Sequence, residues 1–140
     1  MTRILSSLRM DRRGASVIEF ALLAPIFIMM LIGAIEGGRM MWTRQTLEEV
    51  AQSTARCMGV YQGCGTDSAA RTYAANRATD YGITTTTSNV TVNQAATCKG
   101  QADSKLVTIT NQFDSALIGF LPASSARISV SACFPTLAPA

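Results

Sequence analysis

The segment FALLAPIFIMMLIGAI, residues 20–35, contains no charged residue. With residues 15–18 in front of it, the apolar segment reaches about 20 residues, the length that an α-helix needs to cross a bilayer. Glu19 interrupts this segment near its start. The sequence therefore predicts a transmembrane helix within residues 15–42.

The basic residues of the chain are unevenly placed. Residues 1–14 contain four arginines and one aspartate, which together account for the whole net charge of +3. Basic flanks stay on the cytoplasmic side of a membrane. We therefore expect a single-pass protein of the bacterial inner membrane, with a cytoplasmic N-terminus and a periplasmic domain over residues 43–140. Lysine and arginine are sparse in that domain, which argues against binding to nucleic acid.

A cleaved secretory signal would also begin with basic residues and an apolar run. Its run is normally ~7–15 residues long and ends at a site of small residues. Here the run is longer and continues into GGRMMWTRQTLEEVAQSTARCM, residues 37–58. Apolar and small residues recur there at three- and four-residue steps: Leu47, Val50, Ala51, Thr54 and Ala55. The pattern predicts one continuous helix from about Ala15 to Arg56, with a helical stalk over residues 43–58.

Two features of the apolar segment favour packing against other helices. Gly33 and Gly37 form a Gly-x-x-x-Gly pair, which permits the close approach of a second helix. Pro25 removes a backbone hydrogen bond and so permits a kink. Both residue types are also common in membrane helices in general, so the pattern alone leaves partner packing and plain lipid contact open.

The outer end of the apolar segment carries Glu36, Arg39 and Trp42. Glu36 and Arg39 are three residues apart, which is the spacing of an intrahelical ion pair. Together with Trp42 they are expected either to anchor the helix at the membrane interface or to contact a partner subunit.

The chain contains four cysteines, all of which follow the apolar segment: Cys57, Cys64, Cys98 and Cys133. An even number in the oxidising periplasm predicts disulfides, each of which adds about 2–4 kcal/mol to the stability of a small domain. Of the three possible pairings, we favour the nearest neighbours, Cys57 with Cys64 and Cys98 with Cys133. The cysteine spacing lacks the short pairs of zinc sites, so no metal is expected.

The periplasmic domain is predicted to combine a helix with a small sheet. Thr66 or Asp67 offers an N-cap for a helix over residues 67–81. Three stretches within residues 83–135 read as strands: ITTTTSNVTV (83–92), KLVTITNQFDS (105–115) and SARISVSACF (125–134). The alternation in the last stretch places Cys133 away from the apolar face, so a bridge to Cys98 would fasten the loop between the first two strands.

The expected fold is therefore α+β. A long N-terminal transmembrane α-helix continues as a stalk, and a small domain with one helix and a three-stranded antiparallel sheet follows. The apolar segment ALIGFLP, residues 116–122, is expected either to cover the core or to dock onto another protein.

The most informative residues are RRGASVIEF, residues 12–20. A carboxylate near the start of a membrane helix is usually paired or functional, since a charge at the bilayer centre costs roughly 2.5–3.5 kcal/mol. A cut between Gly14 and Ala15 would create an α-amino group one helical turn before Glu19, and the two charges would then face each other. The alternative is that Glu19 reaches headgroup level and contacts water.

The stretch from Arg12 to Trp42 resembles the start of TadE-like proteins, minor pilins or pseudopilins of the tight-adherence (Flp, type IVc) pilus system. The residues that carry the resemblance are Gly14 at the end of a basic leader, then Glu19-Phe20, Pro25, and Glu36-Gly37-Gly38-Arg39. The resemblance covers about 30 residues well and the rest of the chain only in general layout. It implies that residues 1–14 are a prepilin leader, removed after Gly14 by a prepilin peptidase.

The resemblance also implies a role in pilus assembly and surface adhesion. The expected partners are other pilins or pseudopilins, the assembly platform of the inner membrane and the prepilin peptidase. Flp major pilins are much shorter and carry Glu-Tyr where this chain has Glu-Phe, so a major pilin is disfavoured. A TadF-like sister pseudopilin and an uncleaved, signal-anchored periplasmic ligand-binding module remain open as alternatives.

Catalysis is not expected. The chain contains no histidine, and it lacks a Gly-x-Ser-x-Gly turn, a phosphate-binding glycine loop and a Cys-x-x-Cys pair. The aspartates of the periplasmic domain are scattered over predicted turns and surfaces. No cofactor is predicted.

Overall fold

The structure is a computed structural model, and it describes residues 13–60, 62–115 and 126–136. The chain forms two compact units, Met1–Gly37 and Gly38–Ala140. The first contains the N-terminal part of a long helix. The second contains the remainder of that helix, a second helix and a sheet. The segment 116–122, expected to cover the core or to dock, lies outside the described residues.

The described elements confirm the α+β fold class. The long helix, α1, spans Arg13–Val60, and the second helix, α2, spans Asp67–Asp80. Short 3-10 turns occupy Gln62–Cys64 and Thr87–Asn89. Three strands follow: β1 at Val90–Cys98, β2 at Gln101–Phe113 and β3 at Ala126–Pro135. They form an antiparallel sheet in the order β1-β2-β3.

The outer part of α1 buries the face that its sequence pattern predicts. The five apolar and small residues of the stalk are almost completely buried: Leu47, Val50, Ala51, Thr54 and Ala55. The charged and amide residues between them are exposed or half-buried. Thr54 satisfies its hydroxyl group inside this face by donating a hydrogen bond to the carbonyl oxygen of Val50 at 2.7 Å. The stalk therefore provides one wall of the core.

Helix α2 begins and ends with recognisable capping interactions. Thr66 is the N-cap, because its side-chain oxygen accepts a hydrogen bond from the amide of Ala69 at 3.2 Å. At the other end Gly82 has φ +76°, and the amides of Gly82 and Ile83 donate to the carbonyl oxygens of Thr79 and Ala78. These two bonds form a Schellman motif. The cap pair fixes the helix that the sequence predicts over residues 67–81.

Helix α2 packs through alanines. Ala70, Ala74 and Ala78 are fully buried and belong to the same core cluster as Leu47 and Val50 of α1. Alanine side chains are small, so this face permits a close approach to the neighbouring elements. The large side chains of the core come instead from α1 and the sheet.

The sheet contributes rows of apolar residues that cross all three strands. Val90 of β1 is opposite Ile109 of β2, which is opposite Val130 of β3. Val92, Val107 and Ala132 form the next row. All six residues are buried, so one face of the sheet closes the core, and the alternating residues of β3 face solvent as predicted.

The predicted position of the first strand is wrong. Residues 83–92 were expected to be extended throughout, but β1 starts at Val90 and continues to Cys98. In front of it, the amide of Asn89 donates to the carbonyl oxygen of Thr86 at 3.0 Å and closes a 3-10 turn. Serine and asparagine favour such turns, and this local preference prevails over the β propensity of the threonine run.

The connection between β1 and β2 also differs from the expectation. Cys98 is the last residue of β1 and not part of a loop, because the turn consists of Lys99 and Gly100 alone, both with positive φ. This is the backbone conformation of a two-residue hairpin turn. The Cys98–Cys133 disulfide therefore joins β1 to β3 and spans the central strand.

The stalk is two residues longer than the predicted range of 43–58. Helix α1 continues through Gly59 to Val60. A Cβ atom placed on Gly59 would lie 2.6 Å from Cδ1 of Phe134 and 3.5 Å from the carbonyl oxygen of Pro135. Glycine at this position allows the end of α1 to approach β3.

Candidate functional site

The candidate site is the N-terminal part of α1, where the sequence predicts cleavage and assembly. Gly14 and Ala15 follow Arg13, the first residue of the helix as described. Both residues are helical, so a peptidase that requires an extended backbone would need this turn to open locally.

Glu19 lies four residues after Ala15 in the same helix and is exposed. Positions four residues apart are neighbours on a helix surface, about 5–6 Å between Cβ atoms. Phe20 follows with 72% of its surface exposed. The carboxylate of Glu19 is thus within reach of an amino group at position 15, and the aromatic ring of Phe20 lies next to Glu19.

On both sides of Glu19, helix α1 exposes many large apolar side chains. The exposed members up to residue 35 are Val17, Ile18, Phe20, Leu22, Leu23, Ile26, Phe27, Ile28, Met29, Met30, Leu31, Ile32 and Ile35. Exposure of so much apolar surface to water is unfavourable by about 25 cal/mol for each Å². The segment from Ser16 is long and apolar enough to cross a membrane, which is the environment that its surface fits.

The predicted packing residues of this segment are all helical. Pro25 lies inside α1 without ending it. Among the described residues, no heavy atom of another side chain or distant backbone lies within 4 Å of a Cβ built at Gly33 or at Gly37. This face is open, as the approach of a second helix would require.

Three side chains at the outer end of the apolar segment lie in different environments. Glu36 is buried, with 8% of its surface exposed, whereas Trp42 is 64% exposed. The guanidinium carbon of Arg39 lies 5.6 Å from the centre of the Phe113 ring, within the range of a cation–π contact. Arg39 is thus attached to the end of β2 and not only to its own helix.

A polar contact joins the two helices of the second unit. The hydroxyl group of Tyr81, which follows α2, donates a hydrogen bond to Oε1 of Glu49 on α1 at 2.8 Å. This hydrogen bond raises the pKa of Tyr81 above its ordinary value of 10.0, and slight desolvation and the negative charge of Glu49 act in the same direction, while Arg77 acts in the opposite direction. The guanidinium carbon of Arg77 lies 5.7 Å from the centre of the Tyr81 ring.

The contacts that Tyr81 and Arg39 make with distant parts of the chain were not predicted from the sequence. The contact between Tyr81 and Glu49 bridges 32 positions of the chain, and no local pattern indicates a pairing over that distance. An aromatic residue next to a helix-ending glycine was the available signal, since such residues often lie against a neighbouring helix.

Both disulfides join the nearest-neighbour pairs that the sequence favours. Cys57 of α1 is bonded to Cys64, and Cys98 of β1 is bonded to Cys133 of β3. Cys133 is exposed, which agrees with its predicted direction, whereas Cys64 is buried. The bridges lie outside the candidate site and fasten the second unit. Among the residues that the structure describes, no group of three or more His, Cys, Asp or Glu side chains is arranged to hold a metal ion.

Comparison with known proteins confirms the resemblance of the N-terminal region. The model of the family described as TadE-like protein matches residues 14–56. This range contains Gly14, Glu19, the apolar segment and most of the stalk, and it covers about a third of the 140 residues. No curated protein and no solved structure matches the chain.

Proposed function

We propose that this chain is a structural minor pilin or pseudopilin of a tight-adherence (Flp, type IVc) pilus system, and not an enzyme. In this proposal a prepilin peptidase of the inner membrane cuts the chain between Gly14 and Ala15, and the processed helix packs with other pilins. The match of the TadE-like family to residues 14–56 supports a pilin-like protein of this system. The finer steps rest on the geometry of α1.

The observation that carries the proposal is the position of Glu19 one helical turn after the Gly14–Ala15 bond. Cleavage there creates an α-amino group at Ala15, which carries a positive charge when protonated. Glu19 then has an opposite charge as a neighbour at the N-terminal end of the helix, where the helix dipole also favours an acidic group. The unprocessed chain offers Glu19 no such amine.

The same pair of charges favours one axial register between neighbouring helices in an assembly. When the helix of one subunit slides along the helix of a neighbouring subunit, the distance between the first subunit's Glu19 and the neighbour's amino group changes. In the low dielectric of a membrane this distance determines the interaction energy steeply. The open glycine face of Gly33 and Gly37 allows the helices to pack closely enough for such a contact.

The proposal is tested with Glu19→Ala and Glu19→Gln in the full chain. We expect both variants to be processed, to form both disulfides and to unfold like the wild type, but to lose at least about tenfold in copurification with other pilins, as a lost charge pair of about 1.4 kcal/mol would produce. Glu48→Gln is the matched control, because Glu48 pairs with Arg44 on the exposed side of the same helix. Normal copurification of the Glu19 variants would contradict the proposal and favour an anchored binding module.

A further inference from the structure

The three-stranded sheet has two edge strands, β1 and β3, because β2 lies between them. Every second residue of an edge strand directs its N–H and C=O groups away from its only neighbour. Proteins usually protect these groups, since an unprotected edge pairs with a strand of another chain. The two edges of this sheet differ in that protection.

The edge at β1 is protected. Its register with β2 shifts twice between Asn93 and Cys98, and such bulges oppose pairing with a further strand. Backbone groups in the bulge bind side chains instead. The amide of Ala95 donates to Oδ1 of Asn93 at 3.0 Å, and the carbonyl oxygen of Gln94 accepts from Nζ of Lys105 at 2.7 Å. Helix α2 also packs against β1.

The edge at β3 lacks this protection. All ten residues of β3 pair with β2 in unbroken register. Apart from that ladder, no hydrogen bond joins the backbone of β3 to any residue that the structure describes. The strand has one charged residue, Arg127, near its start, and the end of α1 approaches its far end at Phe134. Residues 127–133 are therefore an open and regular strand edge, which we call the β3 edge.

The β3 edge is self-complementary in an antiparallel arrangement. When two copies pair about Val130, the two residues of each pair differ by an even number of positions. Outward-directed backbone groups of one copy therefore meet those of the other. The buried residues Ile128, Val130 and Ala132 also stay on one face of the joined sheet, with Ile128 opposite the smaller Ala132.

The exposed face of the same strand carries a row of hydroxyl groups. Thr108 of β2 and Ser131 share a hydrogen bond of 2.9 Å across the two strands. In the paired arrangement Ser131 of one copy lies opposite Ser129 of the other, and cross-strand hydroxyl pairs are favourable. The row of hydroxyl groups thus continues from one copy into the next.

The charge of the strand favours an antiparallel pair of identical copies. Arg127 then lies opposite Cys133 of the other copy, and the two Arg127 residues are about 20 Å apart along the pair. A parallel pair would place the two arginines side by side, where they repel each other. The Cys98–Cys133 disulfide holds the end of the β3 edge in the sheet, so little ordering is needed before pairing.

We propose that the β3 edge joins two copies of this chain, whose sheets then form one antiparallel sheet of six strands. The inference goes beyond the proposed function, since it requires neither cleavage after Gly14 nor the charge of Glu19. A single pair of seven-residue edges is small beside the standard interface of roughly 1,200–2,000 Å². The dimer is therefore weak and forms where the local concentration of the chain is high.

The test gives the β3 edge charges of one sign in each of two variants of the full chain. Ser129→Lys with Ser131→Lys places lysine opposite lysine in the pair, and Ser129→Glu with Ser131→Glu places glutamate opposite glutamate. Sedimentation equilibrium in density-matched detergent measures association over a range of protein-to-detergent ratios. All chains, including the parent, also carry Gly33→Leu and Gly37→Leu, which remove close helix packing as a cause of association.

We expect the parent chain to dimerise and each charged variant to dimerise at least about tenfold more weakly. An equimolar mixture of the two variants should recover the affinity of the parent, because lysine then lies opposite glutamate. Thr91→Lys with Ala95→Lys adds the same charge to exposed positions of β1 and should leave dimerisation unchanged. A monomeric parent, full dimerisation of the charged variants or no recovery in the mixture would overturn the inference.

A photo-crosslinker identifies the occupant of the β3 edge without a change of charge. p-Benzoylphenylalanine in place of Ser129, in the full chain in membrane vesicles, should give a product of twice the chain mass that is linked near Ser131 of the second copy. The same group in place of Thr91 should give much less of it. A product of single-chain mass would assign the β3 edge to another segment of the same chain. That result, a product with a different protein, or no product at all would overturn the dimer.

Discussion

Glu19 and Glu36 lie in the same helix but in opposite surroundings. Glu19 is exposed on the surface of α1, whereas Glu36 is buried. A carboxylate that is already enclosed by its own chain is poorly placed to contact another subunit. Glu19, one turn after the proposed cleavage site, is therefore the acidic residue that we assign to assembly.

At Gly59 a single hydrogen atom in place of a side chain decides the packing of α1 on β3. We expect Gly59→Ala to destabilise the second unit, although alanine favours helix by about 0.5–1 kcal/mol, because the overlap with Phe134 costs typically 1–3 kcal/mol. Urea unfolding of the full chain in detergent measures the difference. Gly63→Ala is the control, since nothing lies within 4 Å of a Cβ at Gly63.

Adding Phe134→Leu to Gly59→Ala tests the cause. The smaller, flexible side chain removes the ring that the new methyl group meets, so the double variant should lose less than the sum of the two single changes. Additive losses would show that the contact with Phe134 is not the reason for glycine at position 59.

The hydrogen bond from Tyr81 to Glu49 gives a pH prediction. Glu49 raises the pKa of Tyr81 above 10.0, so the folded state holds this proton more tightly than the unfolded state. The contribution of the contact is fully present below the ordinary tyrosine pKa and is lost as pH rises through the raised value. Ultraviolet titration of tyrosine ionisation should show a late component that Tyr81→Phe removes and Glu49→Gln shifts to lower pH. A Glu49→Gln titration identical to the wild type would contradict this origin.

At the scale of elements, the two disulfides differ in accessibility. Cys133 is exposed on β3, whereas Cys64 is buried beside α2. Reduction requires attack of a thiolate on an accessible sulfur. We expect mild dithiothreitol treatment to open Cys98–Cys133 before Cys57–Cys64, as mass mapping of the alkylated thiols would show.

Opening the longer bridge should also lower the free energy of unfolding of the second unit. The Cys98–Cys133 bridge encloses a sequence separation of 35, against 7 for Cys57–Cys64. The chain-entropy relation then gives a stabilisation of about 3.8 kcal/mol for the longer bridge and about 2.4 kcal/mol for the shorter. In guanidinium, where neither sulfur is protected by structure, both bridges should open at similar rates. Earlier opening of Cys57–Cys64 in the folded chain would contradict the predicted order of reduction.

The elements that the sequence predicts well are those with a long, regular pattern. The apolar run of residues 20–35 and the stepped face from Leu47 to Ala55 determine α1, and the strict alternation of Ile128, Val130 and Ala132 determines β3. The threonine run of residues 84–87 is different, because it fits a strand and a turn equally well. The start of β1 depends on its pairing with Ile109 of β2, which no local pattern contains.

At the scale of the whole molecule, the sequence determines which segment is apolar enough to cross a membrane and which segments form a core, but not how the parts of the core meet. The packing of α2 on the stalk involves a hydrogen bond between Tyr81 and Glu49, which are 32 positions apart. The packing of α1 on β3 depends on the absence of a side chain at Gly59. The candidate site is local to one helix, so Gly14, Ala15 and Glu19 could be named from the sequence, through its resemblance to TadE-like proteins.

In the proposed function, Glu19 acquires the α-amino group of Ala15 as its partner after the leader is removed. Intact-mass and N-terminal sequence analysis of the protein extracted from cells with an active prepilin peptidase, and from matched cells in which that peptidase is inactivated, tests this most directly. We predict a chain that begins at Ala15 in the first cells and retains residues 1–14 in the second. Retention of the leader in both would contradict the account.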